Sequence, residues 1–177
     1  MIKYIALLLS LTIAIPVYAN AEKKLDAADK KLTSAEPKVG DRFGDWVFAC
    51  RALAENKTAC ELAQVIVTEN NQKIARLSVT KNNQTNKLLL TALIPLGVNI
   101  PAGVSGLIDQ TKLSFTLEAC IAAGCIANAP LDMQILKSNN AEQKFTINFN
   151  LGQNQKVVTV NGSTKGLYDG IKAIKLQ

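Results

Sequence analysis

From Val39 onward the apolar side chains of this chain recur at every second position, and that period admits little besides β-strand. Phe145, Ile147 and Phe149 alternate with Thr146, Asn148 and Asn150, so one face of the segment belongs to a core and the other to water. Trp46, Phe48 and Cys50 share a parity, as do Leu77 and Val79, and Val158 and Val160. Turn formers separate the runs at Glu69-Asn70-Asn71, Asn82-Asn83, Gly152-Gln153-Asn154 and Asn161-Gly162. Strands are expected near 43–50, 59–68, 73–81, 87–94, 104–109, 112–118, 143–150 and 155–161. Leu88 to Val98 is the most apolar run outside the N-terminus and reads as a strand buried on both faces that stops at Pro95. Two stretches change period. Leu131, Ile135 and Leu136 share one face of a short helix within Pro130–Ser138, and Leu167, Ile171 and Ile174 do so within Gly166–Ile174. Many short strands with regular turns predict an all-β domain over residues 39–177, an antiparallel β-sandwich with two short helices.

The N-terminus places that domain outside the cytosol. Lys3 precedes an apolar run from Ile5 to Val17, and small residues follow at Val17-Tyr18-Ala19 and Ala19-Asn20-Ala21. A charged start, a short apolar stretch and an A-x-A-like end make a secretory signal peptide over residues 1–19, cleaved after 19 or 21. A membrane span needs roughly 20 apolar residues, and this run is shorter and interrupted by Pro16. Residues 20–38 are charged and alanine-rich, and read as a flexible spacer ending around Pro37. A transmembrane barrel carries aromatic girdles at both interfaces, whereas seven aromatics remain past residue 19. The soluble sandwich is the better reading.

Export fixes the chemistry of the four cysteines. In an oxidising compartment they read as two disulfides. Of three possible pairings the spacings favour the local one, Cys50 with Cys60 and Cys120 with Cys125. If Ala122-Ala123 form a two-residue turn, Cys120 and Cys125 face each other directly. A three-residue loop with Gly124 left-handed would make the bridge diagonal instead.

With the cysteines paired, little remains to catalyse anything. The chain has no histidine, which removes His-based triads, most zinc sites and the usual general base near neutral pH. Ser78-Val79-Thr80-Lys81 matches a serine–lysine acyl-transfer signature, but a strand points Ser78 and Lys81 to opposite faces. Asp109 and Glu118 are a candidate carboxylate pair only if a hairpin brings them together. A thiol oxidoreductase using Cys120 and Cys125 is the remaining enzyme reading, although such pairs usually sit at a helix N-terminus. No cofactor or metal site is indicated. Past residue 19, nineteen bases against fourteen acids leave a net charge of +5, spread without a stripe and with few aromatics to stack bases. Nucleic-acid binding is therefore not expected.

Four segments, taken in order, resemble the invasion-associated locus B (IalB) family of bacterial envelope proteins. The first is Phe43-Gly44-Asp45-Trp46 leading to Cys50, then Cys60-Glu61-Leu62-Ala63-Gln64. The second runs Leu93-Ile94-Pro95-Leu96-Gly97-Val98 and on through Ile100-Pro101-Ala102-Gly103-Val104. The third is Phe115 to Cys120 with Gly124-Cys125, followed by Pro130-Leu131; the fourth is Lys165-Gly166-Leu167, where the family commonly has an aromatic after the glycine. The resemblance covers about residues 40–175 and contributes scaffold positions, with no catalytic residue among them. Trp46 is expected to pack beside a bridge with its N–H on a carbonyl. Gly44 is expected in a turn or bulge, and Pro95, Gly97, Pro101 and Gly103 are expected to end a strand and turn the chain. The resemblance implies a periplasmic or outer-membrane-associated protein, or a secreted one, named for a part in invasion of host cells. The expected partner is an unidentified macromolecule, a host surface or an envelope component, with peripheral outer-membrane association as one form of it. The alternative is a periplasmic envelope-integrity or chaperone-like factor with no host role.

Overall fold

The computed structural model describes residues 37–82, 85, 87–136, 142–152 and 156–173. The expected signal peptide and all but the end of the expected spacer lie outside the described residues. Ten strands follow one another: β1 (Arg42–Phe43), β2 (Trp46–Ala52), β3 (Thr58–Val67), β4 (Lys73–Lys81), β5 (Leu88–Ile94), β6 (Val104–Ile108), β7 (Thr111–Ile121), β8 (Gly124–Leu131), β9 (Lys144–Leu151) and β10 (Lys156–Ser163). One α-helix, α1 (Leu167–Ala173), closes the described chain.

Each of the eight expected strand regions is β, because each carries the alternation. In β5 Leu88, Leu90, Ala92 and Ile94 are buried while Leu89, Thr91 and Leu93 are only half-buried. The expectation of burial on both faces is corrected: β4 and β8 flank β5 in the sheet, and its outer face is covered by neighbouring side chains alone. The 43–50 region is two strands, split at Gly44-Asp45 into a tight hairpin with Phe43 opposite Trp46.

Two further expectations are corrected. The helix expected at Pro130–Ser138 does not form over its described residues, 130–136: Pro130 and Leu131 end β8, and Met133–Ile135 make a single 3-10 turn capped by Asp132, whose Oδ1 accepts from the Gln134 N–H at 2.9 Å. An apolar run this short fits strand and helix alike, so the spacing of Leu131, Ile135 and Leu136 did not discriminate. The sandwich is replaced by one continuous antiparallel sheet of ten strands, in the order β1-β2-β3-β4-β5-β8-β7-β6-β9-β10. A sandwich needs two sheets, and here β7 joins what would have been both. Its first half, Thr111–Phe115, pairs with β6, and its second half, from Thr116, pairs with β8. A register shift between Leu117 and Ala119 sits in that second half, and such a bulge bends a strand.

The sheet curls until its last strand returns beside its third. Ser163 N–H donates to Gln64 Oε1 at 3.0 Å, and the Trp46 indole N–H donates to the Ser163 carbonyl at 2.9 Å. Inside the curl the inward parity of every long strand meets in one core, with Trp46, Leu62, Leu77, Leu90, Ile147 and Phe149 essentially inaccessible. At about 25 cal/mol per Å² of apolar area, each such side chain contributes roughly 1.5–3 kcal/mol.

Candidate functional site

Both cystines join residues that already face each other across antiparallel strands. Cys50 opposes Cys60 between β2 and β3, with Cα atoms 4.0 Å apart; Cys120 opposes Cys125 between β7 and β8, at 3.9 Å. Directly opposed, non-hydrogen-bonded residues stand about 4.5 Å apart, so a bridge there staples an existing pair. The local pairing is the one present, and all four cysteines are used. At the second bridge Ile121 opposes Gly124 across the two-residue turn Ala122-Ala123, so the bridge is direct. The two cystines occupy opposite ends of the sheet. Cys60 lies on one side of the cross-strand row Leu62–Val79–Leu90–Ala129, and Cys125 lies on the other, opposite Ile94.

The Phe43–Trp46 segment is a scaffold knot. Trp46 is fully buried, as expected, with its indole N–H on Ser163. Gly44, at φ +55°, forms the turn between β1 and β2 and touches the turn before α1: a Cβ there would lie 2.4 Å from the Lys165 carbonyl oxygen, and one on Gly166 would lie 2.2 Å from that of Phe43. Asp45 N–H donates to the same Lys165 carbonyl at 3.2 Å. Thus the first and last segments of the family pattern, over a hundred residues apart, lock backbone to backbone. Leu167 fills its position completely buried, and α1 forms without an aromatic there.

Pro95 and Gly97 turn the chain out of β5, and Pro101 sits in a 3-10 turn at Ile100–Ala102 that Gly103 ends. Asn99 steadies that turn, its Oδ1 accepting from the Ala102 N–H at 3.3 Å. This loop and the Cys120–Cys125 tip share one end of the sheet. Leu96, Ile100 and Ile121 are exposed there, on segments with no charged residue from Leu88 to Ile108 or from Ala119 to Leu131.

No catalytic arrangement emerges from the candidates. Ser78 and Lys81 stand three positions apart on β4, and so on opposite faces. Asp109 lies in the β6–β7 turn, where its Oδ1 accepts from the Lys144 N–H at 3.1 Å and its Oδ2 from Gln143 Nε2 at 3.1 Å. Glu118 is most of the length of β7 away, about 20 Å at a strand's rise per residue. The Cys120–Cys125 bridge lies in a β-hairpin, away from the helix N-terminus at which redox-active pairs usually sit. Among the described residues no His, Cys, Asp and Glu side chains gather into a metal site. A buried polar tie escaped the sequence reading: Gln143 N–H donates to Thr164 Oγ1 at 2.8 Å, and its Nε2 donates to the Ile135 carbonyl at 2.9 Å. No local pattern announces it, because Gln143, Thr164 and Ile135 come from three separate segments of the chain.

Two shallow clefts mark the surface. One, of about 420 Å³, is lined by Glu142 to Phe145 with Asn161 and Gly162. The other, of about 350 Å³, lies where β10 approaches β3, lined by Gln64–Val67 and Asn161–Ser163 together with Arg42 and Asp45.

A curled ten-stranded β domain, stapled at both ends by cystines and lacking a catalytic constellation among its described residues, defines a class of scaffold-like domains more than a chemistry. Comparison with known proteins narrows it. A family model described as "Invasion associated locus B (IalB) protein" matches residues 46–175, and the chain belongs to that family. Among solved structures, the chain is similar to the crystal structure of invasion associated protein B from Bartonella henselae. The match has a TM-score of 0.59 and 18% identity, over 75% of this chain and 91% of that one. At that identity the likeness speaks for the fold. No curated protein sequence matches at a significant level.

Proposed function

We propose that this is an exported, non-enzymatic envelope protein whose β domain binds a macromolecular partner, on the host surface or in the envelope, and thereby supports host-cell invasion. The family membership carries this reading. Two features support binding over catalysis: every cysteine is tied in a bridge, and the chain has no histidine. The two uncharged segments that expose Leu96, Ile100 and Ile121 support it as well, since exposed apolar side chains are what interaction surfaces are built from. The signal peptide directs the chain to the periplasm, the outer membrane or the medium. Mass spectrometry of the protein from cell fractions is expected to find an N-terminus at residue 20 or 22. The functional test is a deletion in the native bacterium together with binding of the purified protein to host cells and to envelope material. Reduced invasion and saturable binding are expected; unchanged invasion with binding to neither surface would sink the proposal.

A further inference from the structure

The curled sheet does not close, and the place where it stays open has the backbone chemistry of a strand site. β2 pairs with β3 only as far as Val47–Ala63. Beyond that point Gln64–Val67 has β4 on one side and, among the described residues, no strand on the other. β10 pairs with β9 along its whole length and likewise has no strand on its outer side. These two edges face one another. All neighbours in the sheet are antiparallel, so β3 and β10 run in opposite directions; they meet at the Gln64–Ser163 hydrogen bond, and Trp46 of β2 holds Ser163 beside it. Between them lies the cleft of about 350 Å³.

We propose that this seam takes an extended peptide segment of a partner protein as an added strand. The inference rests on the binding-module reading and names the chemistry of the partner. Unpaired strand edges are completed by another extended backbone, which supplies the missing donors and acceptors while alternate side chains supply specificity. Here an incoming strand meets two edges, one antiparallel and one parallel to it.

The side chains specify its character. Val65 and Val67 are 48% and 46% exposed on the β3 wall, and the facing wall is Asn161, Gly162 and Ser163, so both walls are uncharged. Arg42 and Asp45 also line the cleft and contribute one charge of each sign. Beside Val65 and Val67 a segment rich in uncharged β-branched residues is the complementary occupant, because a charge placed against the valines would be desolvated there. The protein's other sheet edge is managed differently: there β1 and the Gly40–Asp41 segment cover the start of β2, with Gly40 N–H on the Phe48 carbonyl at 2.8 Å and Phe48 N–H on that of Asp41 at 2.9 Å.

The test uses the purified oxidised protein and the peptide acetyl-Thr-Val-Thr-Val-Thr-Val-amide, read by amide hydrogen exchange in NMR. Saturable binding is expected, with exchange slowed ~tenfold or more among Val65–Val67 and Thr159–Ser163. A counterpart peptide with proline at its third position lacks an N–H and is expected to bind at least ~tenfold more weakly. The V65K/V67K double variant, altered only at exposed positions, is expected to fold and to weaken binding of the first peptide by a similar factor. No saturable binding at millimolar peptide would overturn the proposal. So would protection centred on the 95–103 loop, or equal affinity for the proline peptide or by the double variant. Host-cell binding by the same preparation is scored separately. Peptide failure with intact host binding sinks the seam alone, whereas loss of host binding sinks the binding-module reading.

Discussion

The β2–β3 and β7–β8 hairpins carry the same covalent staple and differ in almost everything around it. The first has a long tip, Leu53 to Lys57, containing a 3-10 turn, with Glu55 at φ +61° and an exposed Lys57–Glu55 ion pair at 2.8 Å. It begins at the fully buried Trp46, and its bridge lies toward the exposed tip. The second has a two-residue alanine tip and no charge from Ala119 to Leu131, and Cys125 itself is almost completely buried. Gly124 is wedged under it at φ +142°, where a Cβ would lie 2.4 Å from the Ile94 carbonyl oxygen. The first hairpin is thus tied to the core at its base, and its half-buried cystine packs against the margin of that core toward the tip. The second is packed against a neighbouring strand right to its turn on the β8 side, through Gly124 and Cys125, while Ala119 to Ile121 of β7 are exposed. An identical cross-link therefore has a different structural duty at each end of the sheet.

The largest expected effect breaks this difference at its sharpest point. Gly124→Val places a side chain against backbone that has nowhere to move, in a conformation L residues rarely adopt, and is expected to cost about 3 kcal/mol or more. The matching change beside the other bridge, Ala59→Val, adds methyl groups at a half-buried strand position and is expected to stay within about 1 kcal/mol. Urea unfolding of both variants measures the pair. Equal losses would show that the two hairpins are packed alike.

Removing the cystines sharpens the comparison next. The bridges close loops with sequence separations of 10 and 5. By chain entropy alone, replacing Cys50 and Cys60 with alanine costs about 3 kcal/mol, and replacing Cys120 and Cys125 about 2 kcal/mol. If calorimetry finds the reverse order, the buried sulfur of Cys125 matters more than ring size, and packing governs the second hairpin.

These differences show what could be read from the chain and what could not. The alternation around Phe145 to Phe149, the local cystine pairing and the hydrogen bond owed to the Trp46 indole were all legible, since each depends on neighbours a few residues away or on one residue's own chemistry. β8 was only partly legible: its inward positions include Ala127 and Ala129, both fully buried but too small to stand out against Ile126 and Asn128. The continuity of the sheet through β7 depends on that strand changing partners at Phe115–Thr116, and no local pattern encodes a change of partner. The same holds for the Gly44–Gly166 contact. Each glycine announced a turn, and only the fold showed that the two turns touch. The seam between β3 and β10 is a further step removed, because it is defined by strands that fail to pair.

The smallest effects are expected at the two hairpin tips, and there stability and binding should separate. Lys57→Gln removes an ion pair whose side chains are 70% and 76% exposed; solvent screening holds its contribution to a few tenths of a kcal/mol at most. Ile121→Lys, at a half-exposed position of the other tip, is expected to be equally silent in urea unfolding, within about 0.5 kcal/mol. Binding to host cells or envelope material is where the two should part. A lysine in the uncharged segment at the end that also exposes Leu96 and Ile100 puts a charge that must stay hydrated into surface proposed for contact, whereas Lys57→Gln leaves the already polar tip polar. Reduced binding by Ile121→Lys alone would assign the apolar tip to partner contact. If both variants bind as the unmodified protein does, the cystine-stapled tips are equivalent in function despite their different packing, and the contact surface lies elsewhere on the sheet.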